Sequence, residues 1–386
     1  MKRTIRSEIV TSMDSIRFSQ AQKDAMVQKL MTAQKPKTGN LSGRRLVFLA
    51  AAAVMLVAML TGAAVFTRWS DSAQNRYNPS QDVKEQAQKS GLSVMLETEN
   101  PNEVLSVTDN GITITALQTI VDDYRAEITF RIEGFDLPED ESPSVWPIIT
   151  IDGQEDFYAM QIGQFYHGTT FNEDGEWVYV STGEPVRYRD DAAQSAIMDY
   201  VADDGSLEYT HYITFDEADG RWLGKEIVAT FRGIYVQSHQ QAGEDTPVVE
   251  GNWELRWILT GADSNIRISP KAEIGDSGVI LLDAEIGQKT IHARYQVDEY
   301  WEGWDELVTL PQAVCGVRMK DGSEHFCGGG TGGFEDQQSG IYFTQFDISD
   351  AILDLSQVES LMFHKGWEPD ENGELTVQTF YYLPIA

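Results

Sequence analysis

Hydrophobic and polar residues alternate along most of the chain beyond residue 100, which is the period of half-buried β-strands. The first pair of strands is predicted at 112–116 and 126–132, with Val-Asp-Asp-Tyr at 121–124 as the turn. Further strands are predicted at 147–151, 176–181, 207–215, 226–236 and 252–260. Strand follows strand with one helix predicted near 192–201, so antiparallel sandwiches are expected rather than a parallel α/β sheet.

The alternating pattern restarts after Gly261. A second hairpin is predicted from strands at 279–285 and 290–297 around Gly287-Gln288, and each copy of the pattern opens with a glycine, Gly111 and Gly278. We interpret this as an internal duplication. The expected fold is mainly β, with two tandem immunoglobulin-like antiparallel β-sandwiches at residues 100–262 and 263–386.

One apolar segment precedes this region. The 21 residues that begin at Leu46 and end at Phe66 carry no charge, and as a helix they match the thickness of a bilayer. We predict one transmembrane helix at 46–66. A cleavable signal peptide is the alternative. However, 45 residues precede the apolar run, whereas the segment before the apolar core of a signal peptide is normally much shorter. A membrane anchor is therefore favoured.

Charge is divided sharply by this segment. Residues 1–45 contain 10 Lys/Arg and 3 Asp/Glu, whereas the remainder contains 19 Lys/Arg and 58 Asp/Glu. The basic side of a membrane helix stays in the cytoplasm, so the N-terminus is expected inside the cell and the acidic part outside, at the cell membrane. An ectodomain this acidic repels phosphates, which excludes nucleic acid as its partner.

The basic tail at 1–45 shows helical spacing of Ile5, Ile9, Met13 and Ile16, which places them on one helix face. So few apolar residues cannot build a core. Three readings stay open: frayed helices, helices on the inner leaflet, or a face that docks into a partner's groove.

Residues 67–99 are predicted to form a polar stalk with one helix at 82–89, ended by Gly91.

Cys315 and Cys327 are the only cysteines, and both fall on the oxidising side of the predicted membrane segment. A turn is predicted between them at Lys320-Asp-Gly-Ser323. A three-residue loop centred on Asp321 puts the two cysteines opposite each other, whereas a two-residue Asp-Gly loop puts each one place out of register. A disulfide is therefore possible, with two buried thiols as the alternative.

No catalytic residue, cofactor site or metal site is predicted. Gly275-Asp-Ser-Gly278 lacks the surroundings of a serine nucleophile and predicts a turn. The glycines between Gly328 and Gly333 match a dinucleotide motif only in spacing and predict a flexible loop. The histidines show no metal-ligand spacing.

Trp301 and Trp304 lie in a predicted loop with acidic neighbours. Exposed rings there would stack on an extracytoplasmic sugar or peptide ligand, but such tryptophans more often close the end of a sandwich.

The run Val107-Thr-Asp-Asn-Gly-Ile-Thr-Ile-Thr115, with Glu127-Ile-Thr-Phe-Arg-Ile132 and Trp253-Glu-Leu-Arg-Trp257 after it, resembles a Gram-positive family of single-pass membrane proteins. The family is catalogued as domain of unknown function 4179, and the resemblance covers roughly residues 45–262. It implies an anti-sigma-like or envelope-sensing role, with a cytoplasmic sigma factor as the partner of the tail. The tail contains no Cys or His, so it lacks the zinc signature of one large anti-sigma class.

These observations favour a non-enzymatic membrane-anchored regulator or sensor. The alternative is an ectodomain that binds an envelope ligand and is held by a simple anchor.

Overall fold

The computed structural model describes residues 69–96, 103–138, 141–172, 175–188, 196–202, 204–215, 220–237, 247–262, 265–297, 313–336, 339–348, 351–369 and 375–385. They belong to one compact unit that begins at Trp69. The structure is mainly β. Within the described residues, no helix is both long enough and apolar enough to span a bilayer. The predicted helix at 46–66 lies outside them.

Two short helices begin the described chain: α1 (Asp71–Tyr77) and α2 (Gln81–Ser90). Each starts with a serine whose hydroxyl accepts a backbone N–H, Ser70 for α1 and Ser80 for α2. Gly91 ends α2 in the left-handed conformation, as the sequence predicts.

The first β unit contains a six-stranded and a four-stranded antiparallel sheet. The six-stranded sheet is formed by β1 (Ser93–Met95), β2 (Ser106–Asp109), β3 (Ile112–Val121), β4 (Arg125–Glu133), β7 (Tyr158–Phe165) and β10 (Leu207–Phe215). The four-stranded sheet is formed by β5 (Ser142–Val145), β6 (Ile148–Ile151), β11 (Glu226–Gln237) and β12 (Pro247–Ile258). A separate small hairpin is formed by β8 (Thr169–Phe171) and β9 (Trp177–Tyr179).

One buried apolar cluster holds the two sheets of the first unit together. It takes Ile128 and Phe130 from β4 and Phe231, Trp253 and Trp257 from β11 and β12. Phe130 meets Phe231 edge to face, with ring centroids 5.0 Å apart. The first unit is therefore sandwich-like.

The second β unit is one nine-stranded antiparallel sheet. Its strands are β13 (Ile266–Ile268), β14 (Ala272–Glu273), β15 (Val279–Ile286), β16 (Thr290–Val297), β17 (Val314–Met319), β18 (Glu324–Asp336), β19 (Ile341–Ile348), β20 (Val358–Pro369) and β21 (Leu375–Pro384), with a 3₁₀ turn at Leu355–Gln357. Strand β18 pairs with β17 up to Phe326 and with β19 from Cys327 onward. Both halves contribute to a single apolar cluster, so the sheet folds over its own core.

The glycines between Gly328 and Gly333 lie in β18, not in the flexible loop that the sequence predicts. The pairing with β19 shifts between Cys327 and Gly330, which marks a bulge where the strand bends. A Cβ atom on Gly330 would lie 2.2 Å from the carbonyl oxygen of Gln345. Gly330 is therefore required by the close approach of the β19 backbone.

The helix predicted near 192–201 is wrong over its described part. Residues 196–201 contain no helix, and their backbone bonds to neighbouring segments instead. The N–H of Ile197 donates to the carbonyl of Arg187 at 2.8 Å, and that of Asp199 donates to the carbonyl of His167 at 3.0 Å. Tertiary pairing overrides the local helical pattern here.

The segment at 67–99 is not a polar stalk where the structure describes it. Trp69, Ala73, Tyr77, Ala87 and Leu92 are buried together with side chains of both β units. Ala73 and Tyr77 lie on the inner side of α1 and Ala87 on that of α2, while Trp69 and Leu92 flank the two helices, so these residues pack although the composition of the segment is polar.

Candidate functional site

Three pieces of the chain meet where the two β units contact each other, and we call this region the junction. They are α1, the turn at residues 121–125 between β3 and β4, and the turn at residues 287–290 between β15 and β16. Asp122 Oδ1 accepts the backbone N–H groups of Tyr124 (3.0 Å) and Arg125 (2.9 Å), which fixes the first turn. The N–H of Gly287 donates to the carbonyl of Thr290 at 2.7 Å, which closes the second.

The junction buries polar side chains from all three pieces, and several of them are charged. Tyr77 of α1 donates its hydroxyl proton to the carboxylate of Glu127 on β4 at 2.6 Å. The ammonium of Lys289 lies 4.0 Å from the centroid of the Tyr77 ring and donates to the backbone carbonyl of Ile348. Glu127 is 4% exposed and Lys289 is 2% exposed, so neither charge is solvated by water.

Two arginines join the network to the second β unit through Asp347 on β19. Arg125 Nη1 lies 3.1 Å from Asp347 Oδ1, and Arg76 Nη2 lies 3.5 Å from Asp347 Oδ2. Arg125 Nε also lies 3.6 Å from Glu127 Oε1. The guanidinium of Arg76 covers the ring of Tyr212, 4.8 Å from its centroid. Opposite charges are therefore interleaved across the junction.

Burial and neighbouring charges shift the pKa values of these groups. Burial lowers the pKa of Lys289 to about 8, and the negative charge of Glu127 offsets part of this effect by raising the pKa of Lys289. Burial alone would raise the pKa of Glu127, but Lys289, Arg76 and Arg125 together hold it below its ordinary value. Burial and the charge of Glu127 raise the pKa of Tyr77 well above its ordinary value. At neutral pH the tyrosine thus stays protonated and donates to an ionised carboxylate.

A second set of contacts at the junction is aromatic. The ring of Tyr124 stacks on His292 of β16, with centroids 5.3 Å apart and planes inclined by 13°. The hydroxyl of Tyr124 donates to Glu285 of β15. Burial lowers the pKa of His292, so the stacked ring is neutral at neutral pH.

Helix α2 is bonded to the second β unit as well. The hydroxyl of Ser90 donates to Gln288 Oε1 at 2.7 Å, and Gln86 Nε2 donates to Asp354 Oδ1 at 3.1 Å. Both helices that follow the predicted membrane segment in the chain are therefore built into the contact between the β units.

An open cleft of about 250 Å³ lies beside α1. It is lined by Ser72, Asn75 and Arg76 of α1, by residues 164–167 at the end of β7, and by Tyr212 of β10. By contrast, the space beside Arg125 and Asp347 inside the junction is too small for a water molecule.

Thr169 organises the region next to the cleft. It is 1% exposed, and its hydroxyl lies 2.7 Å from His167 Nδ1 and accepts the indole N–H of Trp177 at 2.9 Å. Its carbonyl accepts the amide of Asn75 at 3.2 Å. One buried threonine thus fixes two cleft residues and the β9 tryptophan.

An aromatic strip continues from Trp177. The rings of Phe171 and Trp177 are near-parallel, with planes inclined by 19° and centroids 6.3 Å apart, and Tyr188 meets Trp177 edge-on. Phe171 is 70% exposed and Tyr188 is 55% exposed. We call these three residues the aromatic strip.

Among the sequence-predicted site residues, the cysteines can be placed. Met319 and Ser323 pair across a three-residue loop centred on Asp321, the loop length that sets Cys315 opposite Cys327. Both cysteines are present as thiols, and burial raises the pKa of Cys315 to about 12. The disulfide stays a prediction, which mass spectrometry of unreduced peptides tests.

The other predicted sites lie outside the described residues: the tail face of Ile5, Ile9, Met13 and Ile16, the membrane helix from Leu46 to Phe66, and the loop with Trp301 and Trp304. Gly275-Asp-Ser-Gly278 forms the predicted turn, with Ser277 N bonded to the carbonyl of Ile274 at 3.2 Å. Among the described residues, no group of three or more His, Cys, Asp and Glu side chains is placed to hold a metal ion.

The sequence interpretation missed the junction, the cleft and the aromatic strip. One available signal was the polar side of β4, where Arg125, Glu127 and Thr129 alternate with apolar residues. Another was Ser70 followed by Asp71, a helix start shortly after the predicted membrane segment.

The chain shows little similarity to known proteins. No family model and no curated protein matches the chain. The crystal structure of a conserved domain protein from Bacillus anthracis is similar at a TM-score of 0.41 and 12% sequence identity, covering 76% of this chain and 92% of that chain. A likeness at this level does not establish a common fold.

Proposed function

We propose that the chain is a single-pass membrane protein that acts as a non-enzymatic sensor or regulator of the cell envelope. Its N-terminal tail lies in the cytoplasm, and its two β units are immunoglobulin-like sandwiches outside the cell. The face of Ile5, Ile9, Met13 and Ile16 binds a cytoplasmic partner, which the family resemblance suggests is a sigma factor.

One observation carries the proposal. The residues that directly follow the predicted membrane segment are buried in the junction, where Tyr77 contacts Glu127 and Lys289, and Arg76 reaches Asp347. A simple anchor needs only a solvated linker at this position. A helix held by both β units instead makes the chain next to the membrane sensitive to their arrangement.

The chemistry of the junction supports two discrete arrangements. Charges buried as deeply as Glu127 and Lys289 are stable only with their partners in place, so a small displacement of one β unit costs several contacts together. Packed elements with such contacts switch between states rather than deform gradually. A ligand that favours one state would then shift α1.

The second candidate function is an envelope-binding module whose tail only anchors it. The cleft beside α1 favours this candidate, because a ligand-binding cleft can serve a binding module even when no signal is passed to the cytoplasm.

Capture of a sigma factor by the full chain tests the first function. A tagged full chain is purified from membranes, and Ile9→Asp is the tail variant. We expect a sigma factor to co-purify with the unchanged chain and to be lost with Ile9→Asp, because a carboxylate cannot enter an apolar groove.

The junction is tested in the same assay. Arg125→Gln removes a buried partner of Asp347, and Arg131→Gln is the control on the same strand, with its ion pairs to Glu133 and Asp204 at the surface. We expect Arg125→Gln to change the amount of captured sigma factor and Arg131→Gln to leave it unchanged. Capture that survives Ile9→Asp, or no sigma factor with any variant, would leave the binding module as the better proposal.

A further inference from the structure

We propose that the cleft beside α1 is a saccharide-binding site, with the aromatic strip as its extension along the surface. The inference deepens the proposed function and rests on it, since it names the class of envelope ligand that the ectodomain would sense.

The cleft combines the two features that recognise a sugar ring. Saccharides present hydroxyl groups at their edges and C–H groups on their faces, so they need hydrogen-bonding side chains beside aromatic faces. Ser72, Asn75 and Gln164 supply neutral donors and acceptors, while Tyr166 supplies an aromatic ring. Tyr166 and His167 are themselves near-parallel, with planes inclined by 15°.

Charge argues against a free anion as the ligand. Arg76 is the cation of the cleft, and it is already paired with Asp347 and stacked on Tyr212. Burial raises the pKa of Tyr166 to about 12, and the nearby carboxylates of Asp71 and Glu208 add to the shift, so the fixed charges closest to this ring are negative. Burial lowers the pKa of His167, so this ring adds no positive charge at neutral pH. A neutral ligand with many hydroxyl groups fits these surroundings.

The aromatic strip extends the contact beyond one sugar unit. At a centroid separation of 6.3 Å, the near-parallel rings of Phe171 and Trp177 are laterally offset, so parts of their faces stay open. Thr169 ties Trp177 to the cleft residues His167 and Asn75, which keeps the cleft and the strip in a fixed relation. A rigid, partly exposed aromatic surface next to a polar cleft suits a chain of sugars.

Ligand-detected NMR of the purified full chain tests the inference, with detergent present because of the predicted membrane segment. The probes are the β-1,4-linked trimer of N-acetylglucosamine, the β-1,4-linked trimer of glucose, and inorganic phosphate. We expect saturable binding of at least one trimer with a Kd of about 1 mM or tighter, and none of phosphate.

Two variants and a matched control locate the site. Gln164→Ala removes an exposed cleft residue on β7, and Phe171→Ala removes the most exposed ring of the strip. Trp146→Ala is the control, because Trp146 is an aromatic side chain of almost the same exposure, 68%, between β5 and β6. We expect each of the first two changes to weaken binding about fivefold and the control to stay within about twofold.

Several results would overturn the inference: no saturable binding of either trimer, equal weakening by Trp146→Ala, or phosphate displacing the saccharide. All three substitutions are at exposed positions, and equal unfolding midpoints would verify that the fold is intact. The sigma-factor assay needs no saccharide. Capture without saccharide binding therefore rejects only this inference, and saccharide binding without capture rejects only the regulator.

Discussion

The two faces of strand β4 are both buried, but they bury opposite chemistry. Ala126, Ile128, Phe130 and Ile132 point into the apolar core of the first β unit. Arg125, Glu127 and Thr129 alternate with them and lie under α1 and the second β unit, each less than 10% exposed. A single stretch of nine residues thus serves a hydrophobic core on one side and an ionic junction on the other.

The difference between the two faces separates the residues that stabilise the fold from those that fix the relative positions of its elements. Apolar burial is favourable in proportion to area and makes few directional demands. Buried charges gain little net free energy even when paired, but they cost several kcal/mol when a partner is missing. We infer that the apolar face holds the first unit together, whereas the polar face fixes how α1 and the second unit sit on it.

The largest expected effect is in the core. Trp253 is fully buried, and its indole N–H donates to the carbonyl of Ile112 at 3.0 Å. Trp253→Ala should lower the free energy of unfolding by about 3–5 kcal/mol through lost burial and a cavity. Urea unfolding measures this, with the exposed Trp146→Ala as control. A loss below about 1 kcal/mol would mean that buried apolar area does not dominate the stability that this face of β4 contributes.

In the junction, Glu127→Ala should cost about 3 kcal/mol, because Lys289 and Arg125 lose their carboxylate partner in a dry site. The informative measurement is a double-mutant cycle with Glu127→Met and Lys289→Met. The double variant should recover at least about half of the loss from Glu127→Met alone, since it removes both charges together. Additive losses would contradict the view that the junction specifies geometry rather than supplying stability.

The pH dependence of stability distinguishes the two faces, because the apolar face of β4 carries no ionisable side chain whereas the junction does. Burial lowers the pKa of Lys289 from 10.5 to about 8. Between these values the unfolded chain binds more protons than the folded chain, so the free energy of unfolding should rise with pH, by about 1–2 kcal/mol up to about pH 10. Above about pH 10 the raised pKa of Tyr77 has the opposite effect, because the folded chain then binds more protons than the unfolded chain and the free energy of unfolding falls with pH.

Unfolding of the unchanged chain and of Lys289→Met across this pH window checks the prediction. The variant should lack most of the rise. An equal rise in both proteins would assign the pH dependence to other groups.

The smallest effect is expected at the exposed end of the same strand. Arg131 pairs with Glu133 and Asp204, whose side chains are about half exposed. Arg131→Ala should change the free energy of unfolding by less than about 1 kcal/mol, because water solvates both partners. A cost near that of Glu127→Ala would show that burial is not what separates the two ends of β4.

Much of the β structure follows from sequence periodicity. The strand predicted at 207–215 has those bounds, the hairpin around Gly287-Gln288 forms as expected, and α2 ends at Gly91. These elements are predictable because alternation and turn residues are local properties. The helix predicted near 192–201 failed where long-range backbone bonds took over.

The junction and the cleft could not be predicted in the same way. Alternation assigns Glu127 and Thr129 to the side away from the core, but it does not say whether water or another part of the chain covers that side. The covering elements come from α1 and from β19, which lie far away in sequence on either side of β4. A cleft made by α1, β7 and β10 depends on the same distant contacts.

The junction also has a consequence for how the protein is made. Arg76, Gln86 and Ser90 bond to Asp347, Asp354 and Gln288, which follow them by 271, 268 and 198 residues. During synthesis from the N-terminus, both helices must wait until most of the chain has emerged before these partners exist. The first unit can close earlier, since β3 and β4 are adjacent in sequence. The junction therefore forms late, and a chain truncated before Asp347 would leave Arg76 without its carboxylate.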